Sequence, residues 1–262
     1  MKPVRLGAVD YLNARPLVFG LELHPEFVLR FDPPSKCAAL LHEGSIDVGM
    51  IPSIEYLRGG PYCAVPRVAI VSEGPVASVA LFSTKPLEAV RSIAADTSSR
   101  TSNALLRVLC YETLGIEAEL VPMPPRPLEM LRRHDAALLI GDAALFFDDE
   151  AAGVAKIDLG DRWTAMTGLP FVWAFWAGRA GALTSGHVRS LVEATDSGIV
   201  EADKIAAIYC GPERAQRGQQ YLRENVRYGW GERESAGLRK YYELALKHGI
   251  VGGIRAPAFY RF

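Results

Sequence analysis

The sequence predicts an α/β protein built from two lobes. Apolar runs of strand length alternate with segments of helical spacing along most of the chain, as in sheets whose faces are covered by helices. About half of the 262 residues are hydrophobic, which is enough to fill a sizeable core. The alternation starts again after Ser83, which indicates a second sheet. One continuous doubly wound sheet is the alternative.

The first part of the chain gives strand and helix signals in turn. The predicted strands are Val4–Val9, Phe27–Phe31, Val48–Ile51, Val65–Val71 and Val76–Ser83. The predicted helices are Leu12–Leu23, Lys36–Glu43 and Ile54–Leu57. Ser35 suits the start of the second of these helices and Gly44 its end. A turn around Gly74 joins the last two strands.

The second part of the chain repeats this pattern and ends in helices. The predicted strands are Ser92–Ala95, Glu119–Val121, Ala136–Ile140 and Phe171–Ala177. The predicted helices are Pro86–Val90, Thr101–Leu114, Pro127–Arg133, His187–Ala194, Glu201–Tyr209, Pro212–Tyr228 and Glu234–His248. Because strands and helices alternate, we expect mainly parallel sheets.

The chain is expected to cross between the lobes twice, near Thr84 and near Val172. The first lobe would then comprise residues 1–84 and 173–262, and the second lobe residues 85–172. Two crossing segments of this kind form a double hinge.

Composition narrows the function classes. The formal net charge is −1, whereas a nucleic-acid-binding protein needs an excess of basic residues on one face. No apolar run reaches the roughly 18 residues of a membrane span, and the start of the chain lacks a secretory signal pattern. We therefore expect a cytoplasmic protein with no nucleic-acid or membrane partner. The scattered cysteines and histidines show no metal-ligand spacing, so no metal site is predicted.

The densest polar cluster follows the strand Ser92–Ala95. Ser99, Thr101, Ser102 and Asn103 crowd the start of a clear amphipathic helix, more hydroxyl groups than a helix cap requires. Free N–H groups at a helix start attract anions, so this segment predicts a carboxylate or phosphate cradle. The GxxxxGK[ST] pattern of a P-loop is absent from the sequence.

Other candidates follow other strands, because ligands of open α/β sheets bind at strand ends. Each of these side chains has a structural alternative as a helix cap, a surface charge or a partner of hinge backbone. For Asn13 the cap interpretation has the advantage when the residue is taken alone, and for Asp142 the cap and site interpretations are about even. The candidates are Asn13, Arg15, Ser53, Ser83, Thr84 and Asp142.

Taken together, these segments resemble a known family. VRLGAVDYLNARPL, DVGMIPSIEY, VASVALFSTKPL, ADTSSRTSNALLRVL, AALLIGDAAL and TGLPFVWAFW resemble, in order and spacing, the chorismate dehydratase family of the futalosine route to menaquinone. The resemblance covers nearly the whole chain. It implies a fold like that of type II periplasmic binding proteins, with a double-crossover hinge. A sister branch, the 1,4-dihydroxy-6-naphthoate synthases, opens with a Cys-Pro-Asn-Asp type segment where this chain has Asp10-Tyr11-Leu12-Asn13.

The resemblance implies a carbon–oxygen lyase that converts chorismate to 3-[(1-carboxyvinyl)oxy]benzoate and water without a cofactor. Asn13 would hydrogen-bond to the departing hydroxyl or the ring, and the Ser99–Asn103 segment would hold a carboxylate. Ser53, Ser83 and Thr84 would assist at the second carboxylate or the ether arm, and Arg15 is a further candidate. Two proton acceptors remain open: Asp142 and the substrate's own side-chain carboxylate.

Three competing functions remain on the sequence alone. They are the sister naphthoate synthase activity, a non-catalytic solute-binding protein, and a cytoplasmic ligand sensor, for which 262 residues leave little room beside the two lobes. The sequence does not fix the oligomeric state.

Overall fold

A computed structural model describes residues 2–262 and contains two β-sheets flanked by helices. The strands are β1 (Val4–Val9), β2 (Phe27–Asp32), β3 (Val48–Pro52), β4 (Tyr62–Ala64), β5 (Arg67–Ser72), β6 (Val79–Ser83), β7 (Ser92–Asp96), β8 (Glu119–Met123), β9 (Ala136–Ile140), β10 (Ala155–Asp158), β11 (Phe171–Arg179), β12 (Arg227–Trp230) and β13 (Ala258–Phe259).

The α-helices alternate with these strands and then dominate the end of the chain. They are α1 (Pro34–Glu43), α2 (Glu55–Arg58), α3 (Thr101–Leu109), α4 (Pro127–Arg133), α5 (Gly141–Leu145), α6 (Asp149–Ala152), α7 (Leu159–Thr167), α8 (Ser185–Val200), α9 (Ala202–Cys210), α10 (Ala215–Glu224) and α11 (Glu232–Lys247). Short 3₁₀ segments lie at Leu12–Val18, Leu21–Leu23 and Leu87–Ala89, and a π-helical turn at Cys110–Leu114 extends α3.

The first sheet has the strand order β12-β5-β11-β3-β1-β2, with β4 paired to β11 and β13 to β4. Strands β1, β2 and β3 run parallel, whereas β11 runs antiparallel to β3, β4 and β5. Eight consecutive residues of β11, 171–178, are buried, as expected of a central strand covered on both faces. The sheet is therefore mixed, because β11 enters it from the other lobe in the reverse direction.

The second sheet has the order β10-β6-β9-β7-β8. Strand β6 runs antiparallel to both β9 and β10, and β7 runs parallel to β8 and β9. Two sheets joined by two chain crossings confirm the predicted two-lobed α/β class over a single continuous sheet.

The first crossing lies earlier than the sequence predicts. Because β6 belongs to the second sheet, the chain crosses between Ser72 and Val79, not near Thr84. The return crossing lies between Asp158, at the end of β10, and Phe171, at the start of β11. A fully buried apolar strand such as β6 fits the core of either sheet, so its composition does not tell which sheet it joins.

Some short elements differ from the sequence prediction for local reasons. Arg227–Trp230 is a strand with alternating exposed and buried residues, where the sequence pattern suggests a continued helix. The predicted helix Leu12–Leu23 is two 3₁₀ segments separated by Gly20, which has a left-handed φ of 76°.

The first 3₁₀ segment is held tightly against a long helix of the same lobe. At Gly198 on α8, a β-carbon would lie only 2.1 Å from the carbonyl oxygen of Pro16, so no larger residue fits without movement of the backbone. This contact fixes the corner that follows β1.

Within residues 2–262, no helix combines the length and apolar character needed to cross a bilayer.

Candidate functional site

A cavity lies between the two sheets and is lined by residues of both lobes. Strand ends from both lobes converge on it, together with the start of α3. Its lining residues are Val9, Tyr11, Asn13, Pro34, Pro52, Ile70, Val76, Ser78, Val79, Ser99, Arg100, Thr101, Ser102, Ile140, Gly141, Trp173 and Ala174. No carboxylate or histidine is among these lining residues.

The start of α3 supplies one wall of the cavity. Ser99, Arg100, Thr101 and Ser102 all line it, and Arg100, at the N-cap position, makes no side-chain cap hydrogen bond. The first backbone N–H groups of a helix have no intrahelical acceptor. Such groups, together with the helix dipole, favour a negative charge placed near the start of the helix.

Hydrogen bonds from the first lobe hold this helix start in place. The Thr101 hydroxyl oxygen accepts from the Ile54 backbone N–H at 3.2 Å and shares a hydrogen bond with the Ser53 hydroxyl at 3.3 Å. The Tyr241 hydroxyl donates to the Thr101 carbonyl at 3.0 Å. Ser53 is fully buried behind the lining residues. Its hydroxyl thus supports Thr101 and contacts the cavity only through it.

Asn13 lies in the 3₁₀ segment after β1 and lines the cavity. The Tyr228 hydroxyl donates to the Asn13 carbonyl at 2.9 Å and so fixes the backbone. The side-chain oxygen of Asn13 is buried and has no hydrogen-bond partner among the described residues. A buried polar atom without a partner is uncommon in native proteins, so this oxygen is an acceptor open to a ligand, whereas any hydrogen bond donated to a ligand would come from the NH2 group of the same side chain.

Tyr11 bridges the lobes at the edge of the same cavity. Its hydroxyl donates to the Ser98 hydroxyl at 3.0 Å, and burial raises its pKa to about 12. Its ring lies directly against Gly141 of the second lobe, where an added β-carbon would fall 2.7 Å from the ring. Gly141 also has a left-handed φ of 59°. Tyr11 therefore needs glycine at position 141.

Replacing Gly141 with alanine is expected to displace the Tyr11 ring and to lower the free energy of unfolding by more than the roughly 1–3 kcal/mol of backbone strain alone. Gly153→Ala is the matched control, because Gly153 has a φ of 65° with no atom within 4 Å of the added β-carbon. Denaturant unfolding of both variants measures the difference. Equal destabilisation of the two would contradict the packing argument.

Asp142 and Arg15 lie outside the cavity lining. The Asp142 carboxylate accepts from the Leu12 backbone N–H at 3.2 Å and from the Tyr209 hydroxyl at 2.5 Å, and burial raises its pKa above the ordinary value. Arg15 forms an ion pair with Asp10 at 2.5 Å. Its guanidinium also stacks on two aromatic rings, those of Phe31 and Tyr209. Asp142 therefore ties the second lobe to the first beside the cavity.

Ser83 and Thr84 lie at the end of β6 opposite the cavity, which corrects the expectation that they face the cleft. Ser83 donates to the Lys85 carbonyl and Thr84 to the Asp135 carbonyl. The expectation assumed that the carboxyl end of every strand faces the ligand. Because β6 runs antiparallel to β9, its amino end, at Val79, lines the cavity instead.

The Asn103 side chain hydrogen-bonds to the backbone of the loop before α3 and is not part of the cavity lining. Its amide donates to the carbonyl oxygens of Asp96 and Ser99, both at 3.1 Å.

The structure brings four of the predicted site residues together around one cavity: Asn13, Ser99, Thr101 and Ser102. Sequence reasoning missed Tyr11, Ser78 and Trp173, which line it as well. The only local signal for Tyr11 was its position beside Asn13.

A family model described as menaquinone biosynthesis matches residues 4–247 of the chain. The chain belongs to the menaquinone biosynthesis family. A curated relative in Thermus thermophilus, named chorismate dehydratase, is 30% identical over 99% of both chains. A second one of that name, from Campylobacter jejuni, is 30% identical over 64% of each. The resemblance found in the sequence motifs is therefore confirmed.

Solved structures with low sequence identity share the fold of this menaquinone biosynthesis protein. The protein AF1704 from Archaeoglobus fulgidus superposes with a TM-score of 0.80 at 19% identity, over 95% of this chain and 98% of that one. The periplasmic aliphatic sulphonate binding protein SsuA from Escherichia coli gives a TM-score of 0.64 at 17% identity, over 97% and 94%. The predicted fold, similar to that of periplasmic binding proteins, is confirmed.

Proposed function

We propose that this protein is a chorismate dehydratase, which converts chorismate to 3-[(1-carboxyvinyl)oxy]benzoate and water. The observation that carries the proposal is the cavity itself: an uncapped helix start and the Asn13 amide face one space whose lining has hydrogen-bond donors but neither carboxylate nor histidine. Such a lining suits a dianionic substrate. The full-length relative named chorismate dehydratase supports the same activity.

The chemistry of chorismate explains why few protein groups are needed. The ring loses the hydrogen on the carbon that bears the ether and the hydroxyl on the neighbouring carbon, and it becomes aromatic. Removal of that hydrogen spreads negative charge through the ring double bonds into the ring carboxylate. Donors held in advance around that carboxylate stabilise the charge as it develops.

The helix start therefore suits the ring carboxylate better than the side-chain carboxylate. Hydrogen bonds to a carboxylate favour its charged form and make it a weaker base. The ring carboxylate gains charge during the reaction and benefits from the N–H groups at Thr101 and Ser102. The side-chain carboxylate must stay free of such donors if it is to accept a proton.

We assign the proton transfer to the substrate's own side-chain carboxylate, which reaches the ring hydrogen through a six-membered arrangement of atoms. The hydroxide leaves the neighbouring carbon with a hydrogen bond from the Asn13 amide, and the transferred proton converts it to water. The cavity contributes by holding this conformation, and positioning of this kind lowers barriers by several kcal/mol.

The test is incubation of the purified protein with chorismate, followed by ultraviolet absorbance and mass spectrometry of the aromatic product. The expected result is catalytic turnover that is lost in Asn13→Ala purified in the same way. Binding of chorismate without turnover would contradict the proposed enzymatic activity and indicate a non-catalytic binding protein. Turnover of a dehypoxanthine futalosine derivative instead would indicate the sister naphthoate synthase.

Asp142→Asn separates the two proton acceptors. We expect turnover within about tenfold of the wild type, because the Asp142 oxygens are engaged by Leu12 and Tyr209 outside the cavity lining. Asp142→Ala removes both hydrogen bonds. It is expected to weaken substrate binding, because these bonds hold the two lobes together beside the cavity. A fall in turnover of 10³-fold or more in the asparagine variant, with binding intact, would make Asp142 the base.

A further inference from the structure

A buried chain of hydrogen bonds leads from the cavity wall to a carboxylate. The Tyr11 hydroxyl donates to the Ser98 hydroxyl at 3.0 Å, and the Ser98 hydroxyl donates to Asp96 at 2.6 Å. Asp96 is fully buried and lies outside the cavity lining, so it does not contact a ligand directly. The proposed reaction has no use for this carboxylate.

Asp96 acts only as an acceptor in this chain. Its first oxygen accepts from the Ser98 backbone N–H at 2.8 Å as well as from the hydroxyl, and its second oxygen accepts from the Ile140 backbone N–H at 3.3 Å. Three donors converge on its two oxygens, so the carboxyl group is an acceptor toward Ser98. Ser98 directs its single proton at Asp96, and its oxygen is left to accept from Tyr11.

The direction of these hydrogen bonds decides whether the Tyr11 hydroxyl is a donor or an acceptor toward a ligand in the cavity. A phenol hydroxyl has one proton, and that of Tyr11 is committed to Ser98. The remaining lone pair of the Tyr11 oxygen is an acceptor. The ring packs on Gly141, which holds this oxygen in place.

We propose that Asp96, acting through Ser98, fixes Tyr11 as a hydrogen-bond acceptor that selects a ligand with a hydroxyl group at this point of the cavity. The inference rests on the proposed function, in which that group is the ring hydroxyl of chorismate. Chorismate carries this hydroxyl and the aromatic product does not. Tyr11 is then a specificity-determining residue that favours substrate over product, with Ser98 and Asp96 as positioning residues.

The experiment compares the dissociation constants for chorismate and for 3-[(1-carboxyvinyl)oxy]benzoate. Rapid mixing before turnover, with the fluorescence of the cavity residue Trp173 as signal, measures both. Tyr11→Phe is expected to weaken chorismate binding about tenfold, because one hydrogen bond is lost, and to change product binding less than twofold. Tyr62→Phe, whose hydroxyl contacts His42 outside the cavity, is the matched control.

Variants along the chain test the positioning role. Asp96→Ala removes the acceptor to which the Ser98 hydroxyl donates and leaves that proton free to turn toward Tyr11, so it should reduce the preference for chorismate as Tyr11→Phe does. Ser98→Ala should reduce the preference for chorismate over the product in the same way. Ser98→Thr keeps the hydroxyl and should show the wild-type preference. If Ser98 and Asp96 had a purely structural role, their variants would weaken the binding of both ligands equally.

Each result decides the inference. An unchanged ratio of the two constants in Tyr11→Phe, in a protein that turns over chorismate, would overturn the inference alone. A wild-type protein that binds neither ligand would overturn the proposed function and the inference together.

Discussion

Asn13→Ala is expected to lower chorismate turnover about 10²-fold or more, with a small loss of stability. Removal of a donor aimed at developing charge costs this much in other enzymes. The side-chain oxygen of Asn13 has no partner among the described residues, and the side chain hydrogen-bonds to the buried Tyr221 hydroxyl, so truncation removes one hydrogen bond within the protein. We expect the free energy of unfolding to fall by about 1 kcal/mol.

The control for this variant is Asn225→Ala. Asn225 is also an asparagine, but its amide donates to the Pro75 carbonyl outside the cavity lining. Steady-state kinetics and denaturant unfolding of both variants separate catalysis from folding. Turnover near the wild-type rate in a folded Asn13→Ala protein would remove this residue from the mechanism.

Ser102→Asp is expected to weaken chorismate binding at least 10²-fold. Two unit charges about 4 Å apart repel by about 4 kcal/mol at an effective dielectric constant of 20. A carboxylate in the first turn of α3 would occupy the cradle proposed for the ring carboxylate. Ser102 is buried, so the new carboxylate also loses hydration, and thermal unfolding of the same variant measures its effect on folding separately from its effect on binding.

Ser102→Asn is the matched control, because it has nearly the same shape without the charge. We expect it to weaken binding less than tenfold. Calorimetric titration and thermal unfolding measure the two effects. Similar losses in both variants would mean that steric filling, and not charge, accounts for the result, and the anion cradle would be wrong.

The start of α3 was predictable because its signal is local. Consecutive residues carry the hydroxyl groups, and the amphipathic helix follows at once, so one window of sequence holds both parts of the proposed cradle. The first β-turn-helix corner was predictable for the same reason. The structure places the two around one cavity, as expected for strand ends of two facing sheets.

The parts that were missed depend on contacts between distant residues. Tyr11 reaches Ser98 across 87 residues of sequence, and Asp142 reaches the Leu12 backbone across 130. The misplacement of Ser83 and Thr84 has a different cause. Strand direction within a sheet follows from the path of the whole chain, and the local pattern of β6 is the same in either direction.

A crystal structure of the protein with the product 3-[(1-carboxyvinyl)oxy]benzoate tests the central claim most directly. The account predicts that its ring carboxylate lies within hydrogen-bond distance of the backbone N–H groups at Thr101 and Ser102, with Asn13 beside the ring. A product molecule bound away from the start of α3, or held there by its side-chain carboxylate, would contradict the account.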